Sequence, residues 1–273
     1  MEQISFVGAG PGAPDLITIR GQARLRNADI VIWASSLIPE EMLSWTDANA
    51  IRLDSAEMTL EDVLEVFETN PRARIVRLHS GDPSIYGAIQ EQISWCEAHQ
   101  RPFEIIPGVT SISAAAAAIG RELTIPEVAQ SVVTTRVARR TSRSMPESES
   151  LAYYARLGGT IAVLLSGAHP QRIVDELLAE GSQFGATTPA AVVVRATWPD
   201  EQVAMTTIAD LVHTIGELGA KRTLLVLVGE ALGTKDVRRS HLYSPNFSHR
   251  FRARSNPGST SGRAKSRVNR SVR

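Results

Sequence analysis

Short apolar runs alternate with longer amphipathic runs along the first half of the chain, and that alternation limits the fold more than any other feature. Ile4 to Val7, Ile30 to Trp33, Arg74 to Leu78 and Phe103 to Ile106 have strand length and strand composition, and Ala50 to Leu53 is a further candidate. Between them, Thr18 to Asn27, Ile85 to His99 and Ser111 to Ile119 read as helices. Leu60, Val63, Leu64 and Phe67 fall at helical spacing, with Glu61, Asp62, Glu65 and Glu68 opposite and Thr59 placed as the N-cap. Strands that alternate with helices predict a mostly parallel sheet covered on both faces. Aromatics are only 5% of the chain, so its cores must be built mainly from Ala, Val, Ile and Leu.

The pattern pauses between Gly120 and Glu127 and then resumes. Strands are predicted at Ser131 to Thr135, Ile161 to Leu165, Ala190 to Arg195, Val203 to Thr206 and Leu224 to Val228, with helices near Glu149 to Arg156 and Gln171 to Ala179. Hairpin-like spacing mixed with helices predicts a mixed sheet here. The reading is two α/β domains, residues 1–120 and 121–233, followed by a tail, 234–273. The stretch Arg136 to Met145 is basic and poor in bulky apolar residues, and reads as a mobile loop.

The formal net charge is zero, but it is unevenly spread. Residues 234–273 hold eleven Lys or Arg against Asp236 alone, so the tail carries +10 and the rest of the chain −10. The tail is Ser-, Arg- and Gly-rich and cannot bury enough apolar surface to offset its ordering entropy; disorder is expected there, with a local dock near Leu242-Tyr243 or Phe247. Basic charge attracts nucleic acid, yet the acidic body argues against a broad phosphate-binding surface. The single cysteine, Cys96, excludes an internal disulfide and a Cys-based metal site, and fits a reducing cytoplasm. Its helical setting marks it as structural. No apolar run approaches the roughly 18 residues that a membrane span needs, and the start lacks the basic and apolar regions of a signal peptide.

Three loops follow strands and could carry chemistry. Gly8-Ala9-Gly10-Pro11-Gly12-Ala13 satisfies the pattern G-x-G-x-x-G/A of dinucleotide-binding loops. Pro11 deletes one of the backbone donors that such a loop turns towards phosphate, and Pro14 restricts the residue before it. The acid expected about 20 residues on has only Asp29 nearby, before the next strand. The loop therefore suits close backbone approach better than phosphate, and a simple tight turn stays open. In Ser80-Gly81-Asp82-Pro83, Asp82 either accepts hydrogen bonds from an amine or a ribose or merely shapes a β-turn. In Pro107-Gly108-Val109-Thr110-Ser111, Thr110 or Ser111 can cap the following helix. All three loops would converge on one sheet edge and line one cleft.

Taken together, these loops resemble the tetrapyrrole methyltransferase superfamily, whose members share V-G-A-G-P-G after a strand, then G-D-P, then I-P-G-V-[ST]-S. The three occur in that order as Val7 to Gly12, Gly81 to Pro83 and Ile106 to Ser111. Leu-Thr-Ile-Pro-Glu (123–127), Thr-Thr-Arg (134–136) and Ala-Thr-Trp-Pro-Asp-Glu (196–201) look most like the branch that methylates precorrin-4 at C11 in cobalamin biosynthesis. The likeness covers about residues 3–232 and leaves out the tail.

The resemblance implies a homodimer of two-domain subunits, with S-adenosylmethionine bound in the cleft between the domains and S-adenosylhomocysteine as product. Carried over by motif, the cofactor contacts are Pro11, Gly81, Asp82, Ile85, Thr110 and Ser111, with Leu165 and Ala196 from the second domain; Leu165 and Ser166 are interchangeable at this level. His79 faces the cleft or serves the core. The substrate would be a carboxylate-rich tetrapyrrole, and Arg136, Arg139, Arg140 and Arg143 form a basic loop suited to receive it, or else a solvated surface. Trp198 either flanks the macrocycle or packs the domain junction. Alignment of two bound reactants would suffice for methyl transfer, without a covalent nucleophile or a metal, and no compelling Ser–His–Asp or Cys–His arrangement stands in the sequence. Other members of the superfamily act on uroporphyrinogen, other precorrins, diphthamide intermediates or RNA. A nicotinamide-dependent oxidoreductase and a non-enzymatic tetrapyrrole carrier are the remaining rivals.

Overall fold

In the computed structural model, β1 (Ile4–Gly8) lies between β4 (Ile75–His79) and β5 (Phe103–Ile106), while β2 (Ile30–Trp33) and β3 (Ile51–Asp54) extend the sheet on the far side of β4. The structure describes residues 1–137, 145–220 and 222–234 and the single residues 240, 244 and 247. Arg139, Arg140, Arg143, Leu242 and Tyr243 therefore lie outside the described residues, as does most of the tail.

Every pairing in the first sheet is parallel, as its strand–helix alternation predicts. Side chains that alternate along the strands feed two apolar layers. Ile4, Phe6, Ile32 and Ile75 pack under α2 (Leu60–Thr69) and α3 (Gln90–Ala98), through Val63, Phe67, Ile93 and Cys96. Val7, Val31, Val76 and Leu78 pack on the other face with Leu25 of α1 (Ile19–Arg26). Thr59 caps α2 in a reciprocal capping box with Asp62.

The helix expected over Ile85 to His99 is shorter, because it starts only at Gln90. Tyr86 and Ala88 have φ of 54° and 50°, which breaks the helical path, although Ile89 and Ile93 are buried as their spacing predicts.

The second sheet holds β6 (Val132–Arg136), β7 (Thr160–Leu164), β8 (Pro189–Val194), β9 (Gln202–Thr207) and β10 (Leu224–Val228), in the order β6-β7-β10-β8-β9. Only β6 and β7 run parallel, so this sheet is mixed. One face packs on α5 (Leu151–Ala155), α6 (Pro170–Leu177) and α7 (Leu211–Leu218). Helix α7 was not apparent in the sequence: Gly216 and the β-branched Val212, Thr214 and Ile215 weaken its intrinsic signal. Burial of Leu211 and Ile215 holds it in place.

The other face of this sheet meets α4 (Ser111–Ala118), which leaves the last strand of the first sheet. Ala114 and Ala115 pack there with Ala162, Ala191, Val193, Leu225 and Leu227. Small side chains on both sides bring helix and sheet close together, which explains the alanine run.

Parallel strands place their carboxyl ends on one edge, and the neighbouring strands β4, β1 and β5 send the three motif loops from it side by side. There the loops touch backbone to backbone. A Cβ on Gly108 would lie 2.1 Å from the Gly81 carbonyl oxygen, and one on Gly8 would lie 2.6 Å from the Gly108 Cα. Gly10 and Gly81 exchange backbone hydrogen bonds of 3.2 and 2.8 Å, both at positive φ. Gly108→Ala is therefore expected to destabilise the protein by about 3 kcal/mol or more, the upper end for overpacking. Gly216→Ala in α7, where a Cβ meets nothing within 4 Å, is expected to stabilise it by about 0.5–1 kcal/mol. The midpoints of urea unfolding check both.

Candidate active site

A cavity of about 440 Å³ opens beside these loops. This volume falls within the range of about 300–1,000 Å³ usual for small-molecule sites. Pro11, Gly81, Asp82, Ile85, Thr110, Ser111, Leu165 and Ala196 all line it, so the structure brings together on one cavity the eight residues carried over by motif as cofactor contacts. Ala34 and Leu37, after β2, also line it, as do Tyr86, Arg77, His79 and Thr223. These six had no motif to mark them except His79, whose place beside the G-D-P loop left a core role equally open.

Local forces hold each wall. Asp82 binds its own loop to the third one: Oδ2 accepts the Gly108 N–H at 2.8 Å, while Oδ1 accepts the Ser84 N–H at 2.8 Å and the Ser84 hydroxyl. Burial alone would raise this carboxyl's pKa, but the hydrogen bonds from the Ser84 hydroxyl, the Gly108 N–H and the Ser84 N–H outweigh it and lower the value. Asp82 thus acts first as a clamp between loops. Thr110 caps α4 by accepting the Ser113 N–H.

In the second domain, Leu165 stands just past β7 with φ 54° and a mostly exposed side chain that faces the cavity. Ser166 is buried instead; it accepts the Val137 N–H at 2.8 Å and donates to the Leu164 carbonyl. Of the two neighbours, Leu165 meets the cavity and Ser166 ties strands together. Ala196 sits between Arg195 and Thr197, whose φ values of 49° and 68° turn the chain sharply after β8. Single residues held in this region commonly mark places where the surrounding structure dictates the backbone.

That turn hooks onto the first domain. Trp198 Nε1 donates to the Pro11 carbonyl at 3.0 Å, and Ala13 N–H donates to Thr197 Oγ1 at 2.9 Å. The Arg195 guanidinium stacks 3.9 Å from the centre of the Trp198 ring. A Cβ on Gly12 would strike the indole at 2.3 Å. Trp198 therefore packs the junction between the domains.

Arg136 ends β6 and does not line the cavity, but its charge is felt at Tyr86, whose phenol pKa is raised chiefly by burial. Cys96 is fully buried in the layer under α3, and burial pushes its thiol up to about 11, as suits a structural residue. His79 is also pushed down by burial, then by Arg77, to about 3, so its ring is neutral at ordinary pH. No described helix is long and apolar enough to cross a membrane.

Residues 3–212 match the family model described as Tetrapyrrole (Corrin/Porphyrin) Methylases. The chain is 42% identical to the cobalt-precorrin-4 C(11)-methyltransferase of Methanocaldococcus jannaschii, over 92% of this chain and 96% of that one. It is also 42% identical to the precorrin-4 C(11)-methyltransferase of Pseudomonas aeruginosa, over 91% and 98%. The fold superposes with a TM-score of 0.80 on the X-ray structure of a cobalamin biosynthetic enzyme, cobalt precorrin-4 methyltransferase, at 39% identity, covering 84% of this chain and 95% of that one. Uroporphyrin-III C-methyltransferase from Thermus thermophilus, complexed with S-adenosyl homocysteine, matches with a TM-score of 0.70 and 25% identity, covering 85% and 99%.

The Asp82 clamp has a pH signature. Its folded pKa lies below the unfolded one, so its contribution to stability is complete above the ordinary carboxylate range, near pH 4, and is lost as pH falls through the lowered value. Asp82→Asn should lower the urea midpoint at pH 7 and flatten the loss of stability below about pH 4. Parallel curves for the two proteins would contradict this role.

Proposed function

Because the chain belongs to the tetrapyrrole (corrin/porphyrin) methylase family, we propose that it transfers a methyl group from S-adenosylmethionine to C11 of precorrin-4 in cobalamin biosynthesis, releasing S-adenosylhomocysteine. The observation that carries this reading is the convergence of the three motif loops with Leu165 and Ala196 on one cavity. The cavity suits a folded nucleoside: glycine backbones form one wall, Ile85 and Leu165 supply apolar contact, and Ala196 leaves room. When bound, S-adenosylmethionine supplies a methyl group on a positively charged sulfur, which departs as a neutral thioether.

The chain's own residues then have three tasks. Pro11, Gly81, Asp82, Ile85, Thr110, Ser111, Leu165 and Ala196 hold the donor in one orientation. Tyr86 and Leu165, both on strained backbone, narrow the mouth and limit water. Arg136, with Arg139, Arg140 and Arg143 beyond it in the sequence, receives carboxylates of the macrocycle and lays a ring carbon in line with the methyl group. The Trp198 hook keeps the two domains at the spacing this alignment needs. A covalent nucleophile has no part in this reading.

The same reading takes the division into 1–120 and 121–233 with a basic tail, a cytoplasmic location and a homodimer as properties of the protein. The relatives named for the metal-free and the cobalt-bearing substrate are equally similar, so the test offers both.

The full chain, incubated with methyl-labelled S-adenosylmethionine and either precorrin-4 or its cobalt complex, should place one label on C11 by NMR and release one S-adenosylhomocysteine per label. A label at another carbon, or no S-adenosylhomocysteine with either ring, overturns the reading. Neutralising Arg136, Arg139, Arg140 and Arg143 together should raise the Michaelis constant for the tetrapyrrole at least about tenfold, the size expected for losing one or more charge-assisted hydrogen bonds. The affinity for S-adenosylhomocysteine should stay the same.

A further inference from the structure

Arg77 and His79 stand two residues apart on β4, so their side chains leave the strand on one face. The register sets Arg77 between Phe6 of β1 and Ile32 of β2, within an apolar layer. Both Arg77 and His79 line the cavity. Arg77 Nη1 donates two long hydrogen bonds, to the Ile32 carbonyl at 3.3 Å and the Leu78 carbonyl at 3.4 Å. Among the described residues, its buried Nε has no acceptor, and its only side-chain hydrogen bonds are the two from Nη1. His79 is only 7% exposed, and neither ring nitrogen has a hydrogen-bond partner among the described residues, Nε2 being fully buried.

The Nε and Nη2 hydrogens form the edge of a guanidinium that grips a carboxylate with two parallel bonds. Two other arginines of the first domain show this edge filled. Arg74 gives Nε and Nη2 to Asp29 at 3.1 and 2.7 Å, and Arg24 gives the same two atoms to Glu104. Arg77 has no such carboxylate among the described residues. Burial lowers its pKa only to about 10, so it keeps its charge at neutral pH. A desolvated cation without a counter-charge is costly, and an anion delivered by a ligand would remove that cost.

We propose that Arg77 and His79 form a carboxylate-binding subsite in the wall of the cavity, with Arg77 Nη2 and His79 Nδ1, their unpaired nitrogens that are not sealed by packing, as its donors. The inference rests on the function proposed above, since both reactants of that reaction carry carboxylates. The bound group is either the methionine carboxylate of the donor or an acetate or propionate of the macrocycle.

Equilibrium binding by Arg77→Met and His79→Phe variants of the full chain distinguishes these sources without needing turnover. The probes are S-adenosylhomocysteine, 5′-methylthioadenosine, which lacks the amino-acid carboxylate, and precorrin-4. For a donor carboxylate, each variant should lose at least tenfold in affinity for S-adenosylhomocysteine while 5′-methylthioadenosine binds as before. For a macrocycle carboxylate, the loss should fall on precorrin-4 alone. Unchanged affinity for both carboxylate ligands overturns the subsite, and so does equal weakening of all three probes. If Arg77→Met fails to fold, the same comparison with His79→Phe decides. Should the wild-type chain bind S-adenosylhomocysteine yet methylate neither ring, the function falls, while the comparison of S-adenosylhomocysteine with 5′-methylthioadenosine still reads the subsite.

Discussion

Where the carboxyl ends of β4, β1 and β5 meet, the backbones of Gly8, Gly81 and Gly108 lie against one another, with no room for a Cβ on Gly8 or Gly108. The site depends on this contact. It brings three loops within hydrogen-bonding range, so that Gly10 pairs with Gly81 and Asp82 reaches the Gly108 N–H. Any side chain at Gly8 or Gly108 would push the loops apart and open the wall that they form. The parallel sheet makes the contact possible, because only parallel neighbours send successive loops from the same edge. The glycines make it close.

The second domain is seated by what leaves that contact. Helix α4 starts at the third loop, and its alanines pack on one face of the second sheet. On the other side, Trp198 and Thr197 bind Pro11 and Ala13 of the first loop. Both links between the domains are thus rooted in motif loops of the first sheet. The gap left between loops and sheet is the cavity, and the positive φ angles of Leu165, Arg195 and Thr197 aim the ends of β7 and β8 at it. This geometry suits catalysis by alignment, in which the protein must hold two reactants at a set distance and keep water out.

Charge is distributed along the same lines. Arg24 and Arg74 meet carboxylates at the surface, where such pairs add little stability but fix side chains. Arg77 is carried into the apolar layer instead and left with its bidentate edge unfilled beside the cavity. Arg24 and Arg74, with their forks filled, read as structure, and Arg77, unfilled at the cavity wall, reads as a place for a ligand.

Much of this was legible in the sequence, wherever the information is local. The apolar runs located the strands of the first sheet to within a residue at each end, and Thr59 announced the start of α2. The glycine loops and their order marked the family and the residues that line the cavity, since a turn or a close approach demands glycine at a fixed offset. The sequence did not determine that the helix before Gln90 would break at Tyr86 and Ala88, nor that a weak helical signal at Leu211–Leu218 would be held by burial. It left Trp198, His79 and the choice between Leu165 and Ser166 open, and it was silent on Arg77. Only tertiary structure decided these. Trp198 meets Pro11 across 187 positions of chain, and Arg77 is distinguished from Arg74 only by whether a carboxylate lies opposite its fork. A local pattern records how a segment is shaped, whereas a partner is set by which distant segments the packed sheets bring together.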